Sequence, residues 1–349
     1  MNDSDSDEYW KTTCKNYTRL SHVLPSKKRI IAIGDIHGDL EVTKLIFKNA
    51  GLIDTNLNWI AEPSDTIVVQ VGDQLDSCRP TATNKCGKPG IKTKSPGDLS
   101  VFKFFYDINK KAQKKGGHCI SLLGNHELMN VLGNLKYNSK DDLKSISKFK
   151  VRKNELDDSE SSVNSNEAYE RRIKLFERGS DMSKFMACTR NSAIIIGKNL
   201  FLHAGILPQI ALKYKIEDIN RLIRTWLIDT INIKTKNRNI GSIKDILFNN
   251  DISPFWNRVL GSIPKDADEN ECEKHVYKVL KLWKINNMVI GHTPTIFNGE
   301  EINAICNNSL WKIDNGLSHG FDQFKNGDEK IQYIEILNDN DIRIRTVPY

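Results

Sequence analysis

The feature that most constrains this chain is a series of short apolar runs. Each breaks off at a glycine or a turn, beside a residue that can hold a cation or move a proton. Arg29–Gly34 leads into Asp35-Ile36-His37-Gly38, Thr66–Gly72 into Asp73-Gln74-Leu75-Asp76, and Cys119–Gly124 into Asn125-His126-Glu127. Leu200–Gly205 ends in Leu202-His203-Ala204-Gly205, Met288–Gly291 leads into His292-Thr293, and Leu310–Asp314 is a further run of the same kind. Short runs bounded by turn residues read as strands. Between them lie stretches with helical periodicity: Leu40–Asn49, Leu99–Lys115, Ala168–Glu177, Ile216–Ile228, Ile243–Phe248 and Glu271–Trp283. Strands alternating with helices predict an α/β or α+β class. Residues just past strand ends can face one shared crevice, so these polar groups should converge on a single site.

The rest of the chain narrows the class without adding chemistry. With 349 residues, 39% of them apolar, there is material for a sizeable core and no sign of disorder or fibrous repeats. No apolar run approaches the roughly 18 to 20 residues of a membrane-spanning helix. The start, with Asp3, Asp5, Asp7 and Glu8 among serines, lacks the basic and apolar parts of a secretory signal. A cytoplasmic location is expected, the nucleus being an alternative. Residues 1–25 read as a flexible acidic tail, and 26–349 as one catalytic domain. A polar insertion at about 137–167, nearly all Ser, Asn, Lys, Asp and Glu, is expected to be exposed and flexible. Ile331–Leu337 and Ile342–Val347, separated by Asn338, Asp339 and Asn340, predict a closing hairpin. The seven cysteines are odd in number and contain no C-x-x-C pair, so they read as reduced structural thiols. A net charge of +7 is moderate and scattered, and no nucleic-acid motif interleaves with the lysines.

The strand-end residues define the chemistry. Two Asp, one Asn and three His form a nitrogen and oxygen donor set without thiolate, which suits Mn, Fe, Zn or Co better than Ca or Mg. A two-metal site fits, because cations about 3.5 to 4 Å apart share a carboxylate and clamp both oxygens of an in-line displacement at phosphorus. Asp73 is the candidate bridge. Asp35 and His37, two apart on an extended segment, would hold one metal, and Asn125, His203 and His292 the other. His126, beside a ligand, is placed to protonate a leaving oxygen, with Asp76 orienting its ring. His22, His118, His275 and His319 lack such a context and read as structural or surface residues, although His319 follows Asp314-Asn315-Gly316. Phe255 and Trp256 read as core or crevice wall.

Taken together, these blocks resemble the calcineurin-like metallophosphoesterases, in their phosphoprotein phosphatase branch. Leu128-Met129-Asn130, Phe201–Ile206 and Pro254-Phe255-Trp256-Asn257-Arg258 are most similar to the Shewanella-like protein phosphatases. The resemblance runs from about residue 28 to residue 320. It implies a four-layer αββα sandwich with a di-metal site at one edge, the same ligand set, and Asp76 with His126 as the acid dyad. One departure stands out. The eukaryotic branch carries Asp-Arg-Gly after its second block, whereas here Asp76 is followed by Ser77-Cys78-Arg79-Pro80. Arg79 is the candidate to reach the same phosphate oxygens, and Arg258 matches the second phosphate-binding arginine.

The expected activity is hydrolysis of phosphomonoesters by direct attack of a metal-bridging hydroxide, with His126 as general acid and no covalent phosphoenzyme. Manganese is the expected metal, with iron and zinc as alternatives. Phosphoproteins or phosphopeptides, on Ser/Thr or Tyr, are the expected substrates. Two other readings compete: a phosphoesterase acting on dinucleoside polyphosphates, and a catalytically silent module that binds partners through the crevice or the insertion.

Overall fold

The computed structural model describes residues 10–81, 86, 97–146, 149–152, 155–158, 165–229, 238–324 and 330–348. Its strands, in chain order, are β1 Val23–Leu24, β2 Arg29–Ile33, β3 Ile67–Gln70, β4 His118–Ser121, β5 Phe149–Arg152, β6 Glu155–Asp158 and β7 Ala193–Ile196. There follow β8 Asn199–Leu202, β9 Asn287–Ile290, β10 Asn303–Ile305, β11 Leu310–Lys312, β12 Ile331–Leu337 and β13 Asp341–Val347. One sheet runs β1-β7-β8-β9-β11-β10, the other β13-β12-β2-β3-β4, and β5 with β6 forms a separate ribbon.

Alternation along the strands explains why these sheets stack. In β2, Ile30 and Ala32 face the second sheet, meeting Ile194, Ile196, Phe201, Val289 and Trp311 in one apolar layer. Ile31 and Ile33 point the other way, onto helices Leu40–Asn49 and Leu99–Gln113 through Val42, Ile46, Phe47, Phe104 and Phe105. The six-stranded sheet repeats the scheme. Leu200, Leu202, Met288 and Ile290 turn outward to a core that includes Met182, Phe185, Ile223, Trp226 and Ile246 from helices Asp181–Thr189, Ile216–Leu227 and Arg238–Phe248. Helix, sheet, sheet, helix is the expected four-layer order. The parallel pairs β2–β3, β3–β4, β8–β9 and β9–β11 bring their C-terminal ends to matching edges of the two sheets.

Three expectations need correction. The thiols are not all reduced: Cys14–Cys188, Cys78–Cys86 and Cys272–Cys306 are disulfides, and Cys119 is free and buried. The partners lie 174, 8 and 34 residues apart, so no local motif marks them, and an odd total conceals three pairs plus one. The tail is also shorter than expected. Residues 1–9 lie outside the described residues, but Cys14 is fully buried and β1 pairs in parallel with β7. The insertion is only partly exposed, since Asn138, Ser139, Asp142 and Ser145 are buried. Asn138 Nδ2, the Ser139 and Ser145 hydroxyls and the Asp142 carboxylate bond to protein groups, which composition cannot reveal. Positions 147–148, 153–154 and 159–164 of that stretch lie outside the described residues. Among the described residues, no helix is long and apolar enough to cross a membrane.

Candidate active site

The turns after β2, β3 and β4 interlock before any side chain is considered. The amides of Ile36 and His37 donate to the Asp73 carbonyl at 3.1 and 3.0 Å, and Gly38 donates to Gln74 at 2.8 Å. The buried Glu127 carboxylate then gathers the turn after β3, accepting from the amides of Gly124 (2.7 Å), Asp73 (2.9 Å), Gln74 (2.9 Å) and Leu75 (3.2 Å). Such close approach requires glycine at two strand ends. A Cβ on Gly124 would lie 2.2 Å from Asp73 Oδ1, and one on Gly291 2.1 Å from Asp35 Oδ1. His37, Asp73, Asp76 and His292 all have left-handed backbones, with φ of 45, 56, 69 and 68°. Conformations of this kind concentrate where a scaffold imposes them, commonly at functional sites.

All six predicted ligands come together and are buried. The three histidines share one arrangement. His37 Nδ1 lies 3.0 Å from the Leu75 carbonyl, His203 Nδ1 3.1 Å from Val71, and His292 Nε2 3.0 Å from Trp256. A carbonyl can only accept, so each of those nitrogens carries a proton, and the opposite nitrogen presents a lone pair when the ring is neutral. These lone pairs point at other acceptors. His203 Nε2 is 2.8 Å from Asn125 Oδ1 and 3.3 Å from Asp73 Oδ2, and His292 Nδ1 is 3.0 Å from the same Asn125 oxygen. On the other flank, His37 Nε2 lies 3.8 Å from Asp73 Oδ2 and 4.0 Å from Asp35 Oδ2. Asp35 Oδ1 is buried without a hydrogen-bond partner. Acceptors facing acceptors in a buried site require positive charge between them, and ring nitrogens fixed by a backbone carbonyl are characteristic of metal-ligating histidine. The donor set therefore fits a pair of cations. Two groups of candidate donor atoms, each within 4.8 Å, share Asp73: Asp73 with His203 and His292, and Asp73 with His37 and the neighbouring His126.

The electrostatics agree with this. Burial, with His203 as neighbour, holds His292 well below the usual imidazole range, and burial with Arg79 does the same for His37. Both rings are thus neutral and able to ligate. Burial alone would lower His203 as well, but the Asp73 carboxylate outweighs it and raises it. Burial and crowding by Asp314 and Asp73 push Asp35 well above the carboxylate range, while burial with crowding by Asp73 takes Asp314 to about 6. Carboxylates packed this closely need a counter-charge.

His126 sits at the rim with Nδ1 2.6 Å from Asp76 Oδ2 and Nε2 3.8 Å from Asp73 Oδ2. Asp76 is held in turn. Its Oδ1 accepts from Asn130 Nδ2 at 2.9 Å and from Asn138 Nδ2, and its amide donates to Asp98 Oδ2 at 2.9 Å. Arg172, fully buried, clamps Asp98 with Nη1 at 2.9 Å and Nη2 at 2.6 Å and donates from Nε to Asn130 Oδ1 at 2.7 Å. Asp142 completes the network, accepting from the Ser77 amide (3.0 Å), the Ser77 hydroxyl (2.8 Å) and the Asp98 amide (2.9 Å). Sequence reasoning missed Asp98, Asn138, Asp142 and Arg172. Glu127 was quoted only as part of a motif, and Asp314 only as a strand end. The one available signal was a strand-end carboxylate at Asp314, of the same kind as Asp35 and Asp73.

Both candidate arginines line the cleft of about 820 Å³ that His37, Asp73, His126 and His292 share. Arg79 lies between the rings of Phe321, 4.8 Å from its guanidinium carbon, and Tyr137, 5.5 Å away, and donates to the carbonyls of Asp76 (3.1 Å) and Cys78 (2.8 Å). Arg258 donates to the His292 carbonyl at 3.0 Å. Trp256 is cleft wall, as expected, and Phe255 is core. His319 does not reach the ligands; its Nδ1 lies 2.5 Å from Asp39 Oδ2.

The comparisons with known proteins agree with this geometry. The pattern that defines the family of calcineurin-like phosphoesterases matches residues 28–296. An uncharacterized protein of Acanthamoeba polyphaga mimivirus is 36% identical over 261 residues, 70% of this chain and 98% of that protein. Shewanella-like protein phosphatase 2 of Arabidopsis thaliana is 26% identical over 341 residues, 91% of this chain and 78% of that protein. The crystal structure of a cold-active protein-tyrosine phosphatase from a psychrophilic Shewanella species has the same fold. It superposes with a TM-score of 0.64 at 22% identity, over 95% of this chain and 83% of that one. With a family pattern spanning most of its length and a buried donor set suited to metal, the chain belongs to the calcineurin-like phosphoesterases and is a phosphatase, similar to the Shewanella-like protein phosphatases.

Proposed function

We propose that the protein hydrolyses phosphomonoesters of phosphoproteins or phosphopeptides in a single in-line displacement, with no covalent phosphoenzyme. Asp35, His37, Asp73, Asn125, His203 and His292 would hold two divalent cations, with Asp73 common to both. When bound, such a pair supplies Lewis acidity that polarises phosphoryl oxygens and acidifies water. Manganese is the first cation to test, with iron and zinc as alternatives. The observation that carries this reading is the convergence of lone pairs from His37, His203 and His292 on Asp73 and Asn125, each ring fixed from behind by a backbone carbonyl.

The chain's own residues do the remaining work. Arg79 and Arg258, on the walls of the cleft, would neutralise and orient the phosphate dianion. Arg79 lies against two aromatic rings, which hold a planar guanidinium in place. His126 would deliver the proton to the leaving oxygen, with Asp76 fixing its ring and stabilising the charged form. A protein substrate is supported by a cleft of about 820 Å³ and by relatives named as protein phosphatases.

The test is metal content of the purified protein, with hydrolysis of p-nitrophenyl phosphate, phosphoserine and phosphotyrosine peptides and a dinucleoside polyphosphate, before and after chelation and manganese addition. About two metals per chain, and metal-dependent turnover favouring phosphopeptides, is the expected outcome. Preference for the dinucleoside polyphosphate would replace the substrate, and full metal without turnover would replace catalysis with binding.

A further inference from the structure

A second cavity, of about 240 Å³, lies away from the cleft, where the segment Asn16–Leu20 passes helix Leu99–Gln113 and the edge strand β4. Among the described residues, its lining carries three cations, Arg19, Lys110 and Arg190, and no carboxylate. The same lining holds aromatic side chains, with Tyr17 and Tyr106 each edge-on to Phe185 at ring distances of 6.1 and 5.4 Å. The Cys14–Cys188 disulfide ties down the chain on one side, so the cavity is part of the folded structure.

Arg190 is the unusual member. It is only 5% exposed, yet its Nε and Nη1 have no hydrogen-bond partner. Its one side-chain hydrogen bond runs from Nη2 to Gln74 Oε1 at 2.9 Å, and its guanidinium carbon lies 3.8 Å from the centre of the Phe102 ring. Burial pulls its pKa down to about 10, so it remains charged at neutral pH without a bonded counter-ion. A buried cation with unpaired donors is costly, and an anion beside it is the physical remedy. The Glu127 carboxylate partly offsets this burial through its charge, but its oxygens are bonded to four backbone amides.

We propose that this cavity is a second binding site, for a small organic oxyanion: a carboxylate or phosphate head at Arg190, carried on an apolar body that packs against Phe185 and Tyr106. Its occupant would share Arg190 with Gln74, which accepts from Nη2. The site is independent of the catalytic reading, because none of its lining residues belongs to the cleft.

The test uses the metal-loaded protein and two probes, 4-iodobenzoate and 4-iodophenylphosphonate. Anomalous scattering from soaked crystals should place iodine in this cavity, with the carboxylate arm, the phosphonate arm or both occupied. Calorimetric titration with the bound probe should weaken by about tenfold in both Arg190→Lys and Lys110→Gln, equivalent to about 1.4 kcal/mol. Both variants should keep the circular dichroism spectrum and the cooperative thermal unfolding of the parent protein, which shows that they fold. Iodine found only at the metal centre, or affinity unchanged in two folded variants, would overturn the proposal.

Discussion

The two halves of the proposed active site, one assigned to cation binding and one to proton transfer, are built by different means. The cation-binding half uses strand ends. Asp35, Asp73, Asn125, His203 and His292 stand at or within a few residues of the ends of β2, β3, β4, β8 and β9, and glycines let the turns close on one another. The proton-transfer half uses a buried ionic network. Asp76 and His126 are held through Asn130, Asn138, Asp98, Asp142 and Arg172, drawn from separate helices and from the polar insertion. The difference reflects what each task requires. A cation needs several donors at one point, which converging strands supply. A general acid needs one ring held at one angle, which takes support from several directions.

If the halves are separable, variants should divide along the same line. The largest effect is expected from Asp73→Asn, which removes the charge common to both cation groups. Turnover should fall on every substrate by at least about 10³-fold, and elemental analysis should show lost metal. Full occupancy with normal turnover would break the assignment. A selective effect is expected from His126→Asn. Metal content should stay normal, and hydrolysis of alkyl phosphates should fall by about 10² to 10⁴-fold, whereas p-nitrophenyl phosphate, with its good leaving group, should lose far less. Equal losses on both substrates would remove His126 from the acid role. The smallest catalytic effect but a clear stability effect is expected from Arg172→Met, which leaves Asp98 buried without its cation. Urea denaturation should show a loss of about 3 to 5 kcal/mol, with metal content retained in the folded fraction. Arg172→Lys should recover part of this. A change in metal content would mean that the two halves are coupled.

The same division decides what could be read from the chain. The strands and helix Leu40–Asn49 announce themselves through periodicity and turn residues, because burial of alternate side chains is a local pattern. The proposed ligands could be picked out for a related reason: Asp, Asn or His just past a strand end, at or near a glycine, is also a local signal. Arg172 was not legible. It stands in the helical stretch Ser165–Phe176 as one charge among many, and only folding brings it to Asp98, 74 residues earlier. Asn138 and Asp142 were misread for the opposite reason, since polar composition suggested water where the partners are protein. The disulfides failed in the same way, because pairing depends on distances that the fold creates.

The left-handed backbone at His37, Asp73, Asp76 and His292 has a consequence for transplantation. Asp and His are among the non-glycine residues that tolerate this conformation best, so the residue types needed for chemistry are also the ones the turns can accept. An engineer who copied these side chains onto ordinary strand ends would obtain the right letters aimed in the wrong directions. The heritable unit is the bent turn with its side chain already aimed, and a new scaffold would have to reproduce such turns for His37, Asp73 and His292, half of the proposed donors.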